Sequence, residues 1–164
     1  MANTNSTQYA KIANKRTSGA HAPLETLEQS GKLRLARGTC TVATGANAIN
    51  DTFDILELPT NCQILSVKLI WTTALGAGSA RLTLNRAAYT SVAPDGTESA
   101  EAESAFVSAH NITGTNTIYE CILATNYGQV INNATQPVKL TGKITGATLT
   151  VGTTFNVEVQ YVVE

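Results

Sequence analysis

Residues 58–85 read LPTNCQILSVKLIWTTALGAGSARLTLN, and this stretch decides the fold class. It opens with a Pro-containing turn and continues from Cys62 to Thr73 through residues that favour β-structure. After Gly76 and Gly78 an alternating run resumes and extends to Asn85. The pattern predicts two strands joined by a Gly-containing loop. It places four large apolar side chains on the buried face of the first strand: Leu65, Val67, Leu69 and Trp71.

Strand patterns recur along the rest of the chain. The clearest is 154–164, where apolar residues occupy alternate positions from Phe155 to Val163, as is typical of a half-buried antiparallel strand. Shorter patterns predict strands over 32–43, with Gly38 as a bulge or bend, and over 49–58, 117–124 and 137–145. About eight strands separated by short turns indicate an antiparallel β-sandwich. Jelly-roll topology is the preferred arrangement, and other Greek-key sandwiches stay open as alternatives.

One insertion in this sandwich is expected to be helical. Residues 98–109 are rich in Ala, which has the highest helix propensity. Glu98, Glu101 and Glu103 lie in the first turns, where acidic side chains favour a helix N-terminus. The predicted fold class is therefore all-β, with one short helix after the turn formed by Pro94, Asp95 and Gly96.

The charges divide the chain into two parts. Residues 1–37 carry six basic and two acidic side chains, whereas residues 38–164 carry five basic and ten acidic ones. Residues 1–31 also lack any regular periodicity, so they are predicted to form an extended N-terminal arm, with the sandwich domain over 32–164. A basic arm on an acidic body suggests an arm that lies on another molecule.

The sequence contains no recognisable catalytic or metal-binding pattern. His21 and His110 are the only histidines, and neither falls in a catalytic or zinc-binding motif. Cys40, Cys62 and Cys121 form no C-x-x-C pair and are predicted to be free thiols buried in strands. We therefore expect no enzymatic activity, no metal and no cofactor.

Membranes and nucleic acids are not expected partners either. The chain has no signal-peptide core and no run of about 20 apolar residues, as a bilayer span requires, so it is expected to be made in a cytoplasm. The basic arm could neutralise phosphates. An acidic protein surface accounts for the same charges and also uses the apolar side chains of Tyr9 and Ile12, so a protein partner is favoured.

Several stretches resemble structural proteins of tailed-bacteriophage heads. They are Ser6-Thr-Gln-Tyr-Ala-Lys11, Gly31-Lys-Leu-Arg34, residues 58–65 and residues 74–84. The chain is similar in particular to capsid cement (decoration) proteins that have a jelly-roll body and an extended N-terminal arm. The resemblance leaves residues 86–135 unmatched.

The resemblance implies a structural virion protein, made in the host cytoplasm, that binds the capsid exterior. It implies a homotrimer that contacts the major capsid protein and cements neighbouring subunits. Arms that become ordered on binding make large contacts from few residues. Five residues are expected to anchor the arm on the capsid: Tyr9, Lys11, Ile12, Lys15 and Arg16.

A second interpretation places the protein in a different class. A β-sandwich of a phage tail or fibre would recognise a host surface glycan through loops such as 86–116 or 125–136. Trp71 is the only Trp and is predicted to lie in the core, which leaves few aromatic platforms for a sugar ring. An enzyme is the third and least favoured class.

Overall fold

The computed structural model describes residues 32–121 and 130–163. These residues contain eleven β-strands. Their bounds are β1 Lys32–Thr41, β2 Thr52–Leu58, β3 Cys62–Trp71, β4 Arg81–Arg86, β5 Tyr89–Val92, β6 Glu98–Glu101, β7 Ser104–Asn111, β8 Thr117–Glu120, β9 Val130–Ile131, β10 Val138–Thr145 and β11 Thr154–Val163. The predicted arm, residues 1–31, lies outside the described residues, as does most of the second half of the strand predicted over 117–124.

The strands form two antiparallel sheets with jelly-roll topology. The first sheet has the order β1-β11-β3-β8, with β9 paired to the start of β3, and the second has the order β2-β10-β4-β7. Strands β5 and β6 form a separate hairpin. Without β5, β6 and β9, successive strands lie in opposite sheets except β4 and β7, which are neighbours in the second sheet. This strand order is the double Greek key that defines the jelly roll. The predicted all-β sandwich is thereby confirmed.

Apolar side chains from both sheets meet in one core. Trp71, Phe106 and Phe155 are the largest fully buried side chains, and burial of each such group stabilises the fold by about 1.5–3 kcal/mol. Phe53 of the second sheet packs edge-on against Phe155 of the first, with ring centroids 5.6 Å apart. The indole Nε1 of Trp71 donates a hydrogen bond to the Gly114 carbonyl at 2.8 Å, so its polar atom is satisfied within the core.

Strand β3 changes face at a β-bulge. Tyr161 pairs with Ile64 and Gln160 pairs with Ser66, so Leu65 is the extra residue. Ile64 therefore points into the core before the bulge, while Val67, Leu69 and Trp71 point into it afterwards. The prediction that Leu65 shares the buried face was wrong, because strict alternation fails where one residue is unpaired.

The helix predicted over 98–109 is also wrong. Residues 98–101 form β6 and residues 104–111 form β7, which pairs with the free edge of β4. Helix propensity is a weak preference that tertiary pairing overrides. Strand β7 is irregular: its register against β4 shifts twice, and Ala109 adopts a φ of 50°. This irregularity removes the period-two pattern that would have indicated a strand.

Gly38 has a different role from the bulge or bend that was expected. The pairing of β1 with β11 runs through Gly38 without a register shift. A Cβ atom at Gly38 would lie 2.4 Å from the carbonyl oxygen of Ile55 in β2. Glycine is therefore required here because the edges of the two sheets approach closely at this point.

Candidate functional site

A hairpin projects from the sandwich between β4 and β7. Tyr89 pairs with Glu101 at its base and Val92 pairs with Glu98 near its tip. The tip is the predicted turn at residues 94–96, where Ala93 N donates to the Thr97 carbonyl at 2.8 Å and Gly96 has a φ of 83°. Backbone and side-chain hydrogen bonds from Thr97 lower the pKa of the Asp95 carboxyl, so this tip stays negatively charged at neutral pH.

Arg86 joins the two ends of this hairpin to the sandwich. The side chain is buried, its guanidinium lies 4.7 Å from the centre of the Tyr89 ring, and it donates to the carbonyl of Ala102. A planar guanidinium can stack on an aromatic ring while it donates at its edge. Arg86 therefore contacts both the first strand of the hairpin and the residue that follows the second.

Backbone hydrogen bonds fix the direction of the hairpin. Val92 N donates to the Asn133 carbonyl, and Thr135 N donates to the Thr90 carbonyl, both at 2.9 Å. Ala134 N in turn donates to Thr60, in the turn between β2 and β3, at 3.2 Å. The hairpin is therefore tied to the end of the sandwich at which β2 ends and β3 begins.

A groove of about 360 Å³ lies between the hairpin base and the start of β10. Tyr89, Thr90, Thr135, Gln136 and Lys139 supply its polar and aromatic lining. Tyr89 is half-buried: it packs against the hydrophobic core, and Arg86 lies over its ring. The groove combines an aromatic ring with hydroxyl, amide and ammonium groups, which is a composition suited to a polar ligand.

The hairpin concentrates negative charge. Residues 89–103, called the acidic hairpin below, contain no Lys or Arg and four acidic side chains: Asp95, Glu98, Glu101 and Glu103. Glu101 accepts a hydrogen bond from Ser91, and Glu103 accepts one from Asn85. Within the described part of the chain, none of the four forms an ion pair with a basic side chain.

Strand β1 presents a contrasting surface. It lies at the edge of the first sheet among the described strands, and residues 32–37, called the basic edge below, contain Lys32, Arg34 and Arg37 without any acidic residue. Leu33 is 64% exposed and Leu35 is 62% exposed, beside the charged residues. Exposed leucines on an edge strand are characteristic of a contact surface.

The outer face of the first sheet carries a ladder of alternating charges. Arg37 pairs in register with Glu158, Glu158 with Lys68, and Lys68 with Glu120. The Arg37 Nε lies 3.5 Å from the Glu158 carboxylate. Opposite charges on neighbouring strands stabilise a sheet by about 0.2–1 kcal/mol per pair. Arg37 and Glu158 form the one ion pair of this ladder among the described residues, and Arg34 has no carboxylate within ion-pair distance there.

The acidic residues of β2, Asp54 and Glu57, are exposed to solvent. The register of β2 against β10 shifts at Ile55, which places Asp54 and Glu57 near Lys139. Lys139 Nζ forms a salt bridge with Asp54, and this hydrogen bond, with a smaller contribution from Glu57, raises the pKa of Lys139. The exposed pair resembles an ordinary surface ion pair rather than a catalytic carboxylate dyad.

His110 belongs to an aromatic cluster between the two sheets. Its ring stacks on Tyr119 of β8 at 3.5 Å between centroids and lies 5.9 Å from the ring of Trp71. Burial, together with the nearby charge of Arg81, lowers the pKa of His110. No carboxylate forms a hydrogen bond with this histidine in the described residues, so the geometry is that of packing and not of a catalytic dyad.

The cysteines are free and buried, as predicted. Burial raises the pKa of Cys62 to about 11 and that of Cys121 to about 12, so both are protonated at neutral pH. Across residues 32–121 and 130–163, no group of three or more His, Cys, Asp or Glu side chains is arranged to hold a metal ion. The same part of the chain contains no helix long and apolar enough to cross a membrane.

The residues predicted to anchor the arm, Tyr9, Lys11, Ile12, Lys15 and Arg16, lie outside the described residues. The acidic hairpin and its anchor Arg86 were not recognised from the sequence. A signal was present, because Asp95 lies in a turn and three glutamates follow it without a basic neighbour. The helix propensity of the alanines concealed it.

The fold is similar to that of chains from two solved phage capsid structures. One belongs to the capsid of Ralstonia phage GP4: the TM-score is 0.60 and the identity 13%, over 92% of this chain and 96% of that one. The other belongs to the capsid asymmetric unit of cyanophage Pam1, with a TM-score of 0.55 and 16% identity over the full length of both chains. No protein-family model matches the sequence, and no curated protein is similar to it.

Proposed function

We propose that this protein is a structural component of a phage virion that binds the outer surface of the capsid and cements neighbouring major capsid subunits. The observation that carries the proposal is the extent of the structural likeness. The described jelly roll corresponds to nearly the whole of a chain in each of two phage capsid structures. A jelly roll of this size is suited to contacts between proteins.

The proposal assigns separate roles to the arm and the sandwich. Tyr9 and Ile12 supply apolar anchors, while Lys11, Lys15 and Arg16 pair with acidic groups of the major capsid protein. The sandwich is a rigid body from which the arms of a homotrimer extend over neighbouring subunits on the capsid exterior. Several identical weak contacts then gain affinity through their high effective concentration.

Electron microscopy of capsids assembled from the accompanying major capsid protein tests this assignment. The full chain should add density to the outside of the shell. The chain without residues 1–30 should fold but leave the shell undecorated. Full-length Tyr9→Ala/Ile12→Ala should weaken decoration by at least tenfold, which corresponds to about 1.4 kcal/mol. His21→Ala is a matched change within the arm and should decorate normally. If the truncated chain still decorates the shell, the proposed role of the arm is contradicted.

A second candidate function is recognition of a host glycan by a tail or fibre sandwich. The groove beside Tyr89 favours it, because an aromatic ring and the polar side chains of Thr135, Gln136 and Lys139 line a common surface. Glycan-array binding by the full chain, lost in Tyr89→Ala and Gln136→Ala, together with particle density on the tail, would favour this function over the capsid.

A further inference from the structure

We propose that copies of this chain associate head to tail, with the basic edge of one copy covered by the acidic hairpin of the next. The inference deepens the trimer of the proposed function by naming the surfaces that hold it together. It concerns two described surfaces with opposite charge: Arg34 of the basic edge and the four carboxylates of the acidic hairpin form no ion pair with the described residues of their own copy.

The basic edge is the surface that requires a partner. Strand β1 is ten residues long, at about 3.3 Å per residue, and its outer edge has no neighbouring strand among the described residues. Leu33 and Leu35 are more than half exposed beside it. Proteins usually block a long apolar edge strand, because it otherwise pairs with other chains.

Charge selects the acidic hairpin as the occupant. Arg34 is exposed and makes no ion pair with the described residues, and the four carboxylates of the hairpin make none with a basic side chain there. Ala100 and Ala102 are exposed on the same hairpin and offer apolar contact to the leucines. Opposite potentials on two facing surfaces speed encounter and suppress wrong partners.

The two surfaces lie at the same end of the sandwich. Lys32, at the start of β1, pairs with Val163, which pairs with Cys62 at the start of β3. The hairpin is bonded to residues 133–135, and these contact Thr60 and Asn61 in the turn that leads into β3. Both surfaces are therefore at one height along the strands.

They are also on different sides of that end. Strand β1 lies over β2, as the contact of Gly38 with Ile55 shows, whereas the hairpin leaves from β4 and β7 on the far side of the second sheet. No hydrogen bond or ion pair joins residues 89–103 to β1 within the described chain. Two complementary surfaces at equal height on different sides repeat by rotation with little rise. Such contacts close into a ring when the rotation is a whole fraction of a turn, and the proposal takes this closed form.

Charge reversal in the full chain tests the contact. Sedimentation velocity in 0.15 M salt should give a closed oligomer for the natural chain, and about 1 M salt should dissociate it, because the Debye length falls from about 8 Å to about 3 Å. Arg34→Glu should raise the dissociation constant of the oligomer at least tenfold. Glu98→Lys/Glu103→Lys should also raise it at least tenfold. The variant that carries all three substitutions should bind more tightly than either partial variant, because the charges at position 34 and at positions 98 and 103 are then again opposite.

Lys143→Glu is the matched control. It makes the same change of net charge as Arg34→Glu on the second sheet, and it should leave the oligomer intact. Circular dichroism and the melting temperature establish that each variant is folded. A monomeric natural chain, or reversals without effect, would overturn the proposal. Dissociation by Glu25→Lys/Glu28→Lys but not by the hairpin variant would also overturn it and would identify the arm as the occupant.

Decoration of shells separates this inference from the proposed function. If the ring forms in solution but does not bind capsids, the cement function is contradicted and the contact between copies is supported. If the natural chain is monomeric in solution but binds capsids, the cement function is supported and the contact between copies is contradicted.

Discussion

Gly38 and Ile55 meet where the edges of the two sheets come together. In Gly38→Ala the new methyl group would lie 2.4 Å from the Ile55 carbonyl oxygen, so β1 or β2 must move. Overpacking of this kind costs about 1–3 kcal/mol, and we expect a fall of that size in the free energy of unfolding measured in urea. Gly114→Ala is the control: its Cβ has ordinary contacts, and no loss is expected. Equal stabilities for the two variants would contradict this role of Gly38.

The histidine stacked between the sheets should make stability depend on pH. Because the pKa of His110 is lowered from 6.5, the unfolded chain takes up a proton at a higher pH than the folded one. Its contribution to stability is therefore complete above about pH 6.5 and is lost as the pH falls through the folded-state pKa. Arg81, Tyr119 and Trp71 surround the ring, and the nearby positive charge of Arg81 opposes its protonation.

Comparison with His110→Gln isolates this effect from other titrating groups. Between about pH 7.5 and pH 5, the melting temperature of the natural chain should fall more steeply than that of the variant. Fluorescence of Trp71 reports the site, because the two rings lie 5.9 Å apart. Parallel pH profiles would show that His110 is not responsible.

At the scale of elements, the Arg86 side chain anchors both ends of the acidic hairpin. Arg86→Ala removes the stack on Tyr89 and the donor to Ala102, so the ends of the hairpin lose their common anchor. We expect amide exchange of residues 90–99 to accelerate at least tenfold, while β3 and β11 remain protected. Arg81→Ala changes another arginine of β4 and should leave hairpin exchange unaltered. Uniform acceleration throughout the sandwich would indicate global destabilisation instead.

Individual strands also show which parts of the fold can be predicted from sequence patterns. Strand β11 was predicted almost to the residue, because Phe155, Val157 and Val159 face a continuous core and keep strict alternation. The faces of β3 were predicted only beyond Leu65, since a bulge depends on the register of a partner distant in sequence. Strand β7 was missed because its pairing with β4 outweighs the helix propensity of its alanines. The basic edge and the acidic hairpin likewise become surfaces only when the topology sets their neighbours.

At the scale of the whole molecule, β11 holds the first sheet together. It pairs with β1 on one side and with β3 on the other, and three of its side chains lie in the core. A chain that ends at residue 153 should therefore fail to fold, as seen from the loss of cooperative thermal unfolding by circular dichroism. Removal of residues 1–30 is the matched change at the other terminus. Cooperative unfolding of the chain without β11 would show that the rest of the sandwich is stable alone.

The position of β11 between β1 and β3 also determines when the first sheet can form during translation. Strand β1 leaves the ribosome before every other described strand, yet its partner β11 leaves after all of them. Until then, β1 and the edge of β3 that faces β11 have no partner in this sheet and are open to pairing with other nascent chains. The yield of folded protein should therefore depend on how quickly β11 closes the sheet of its own chain.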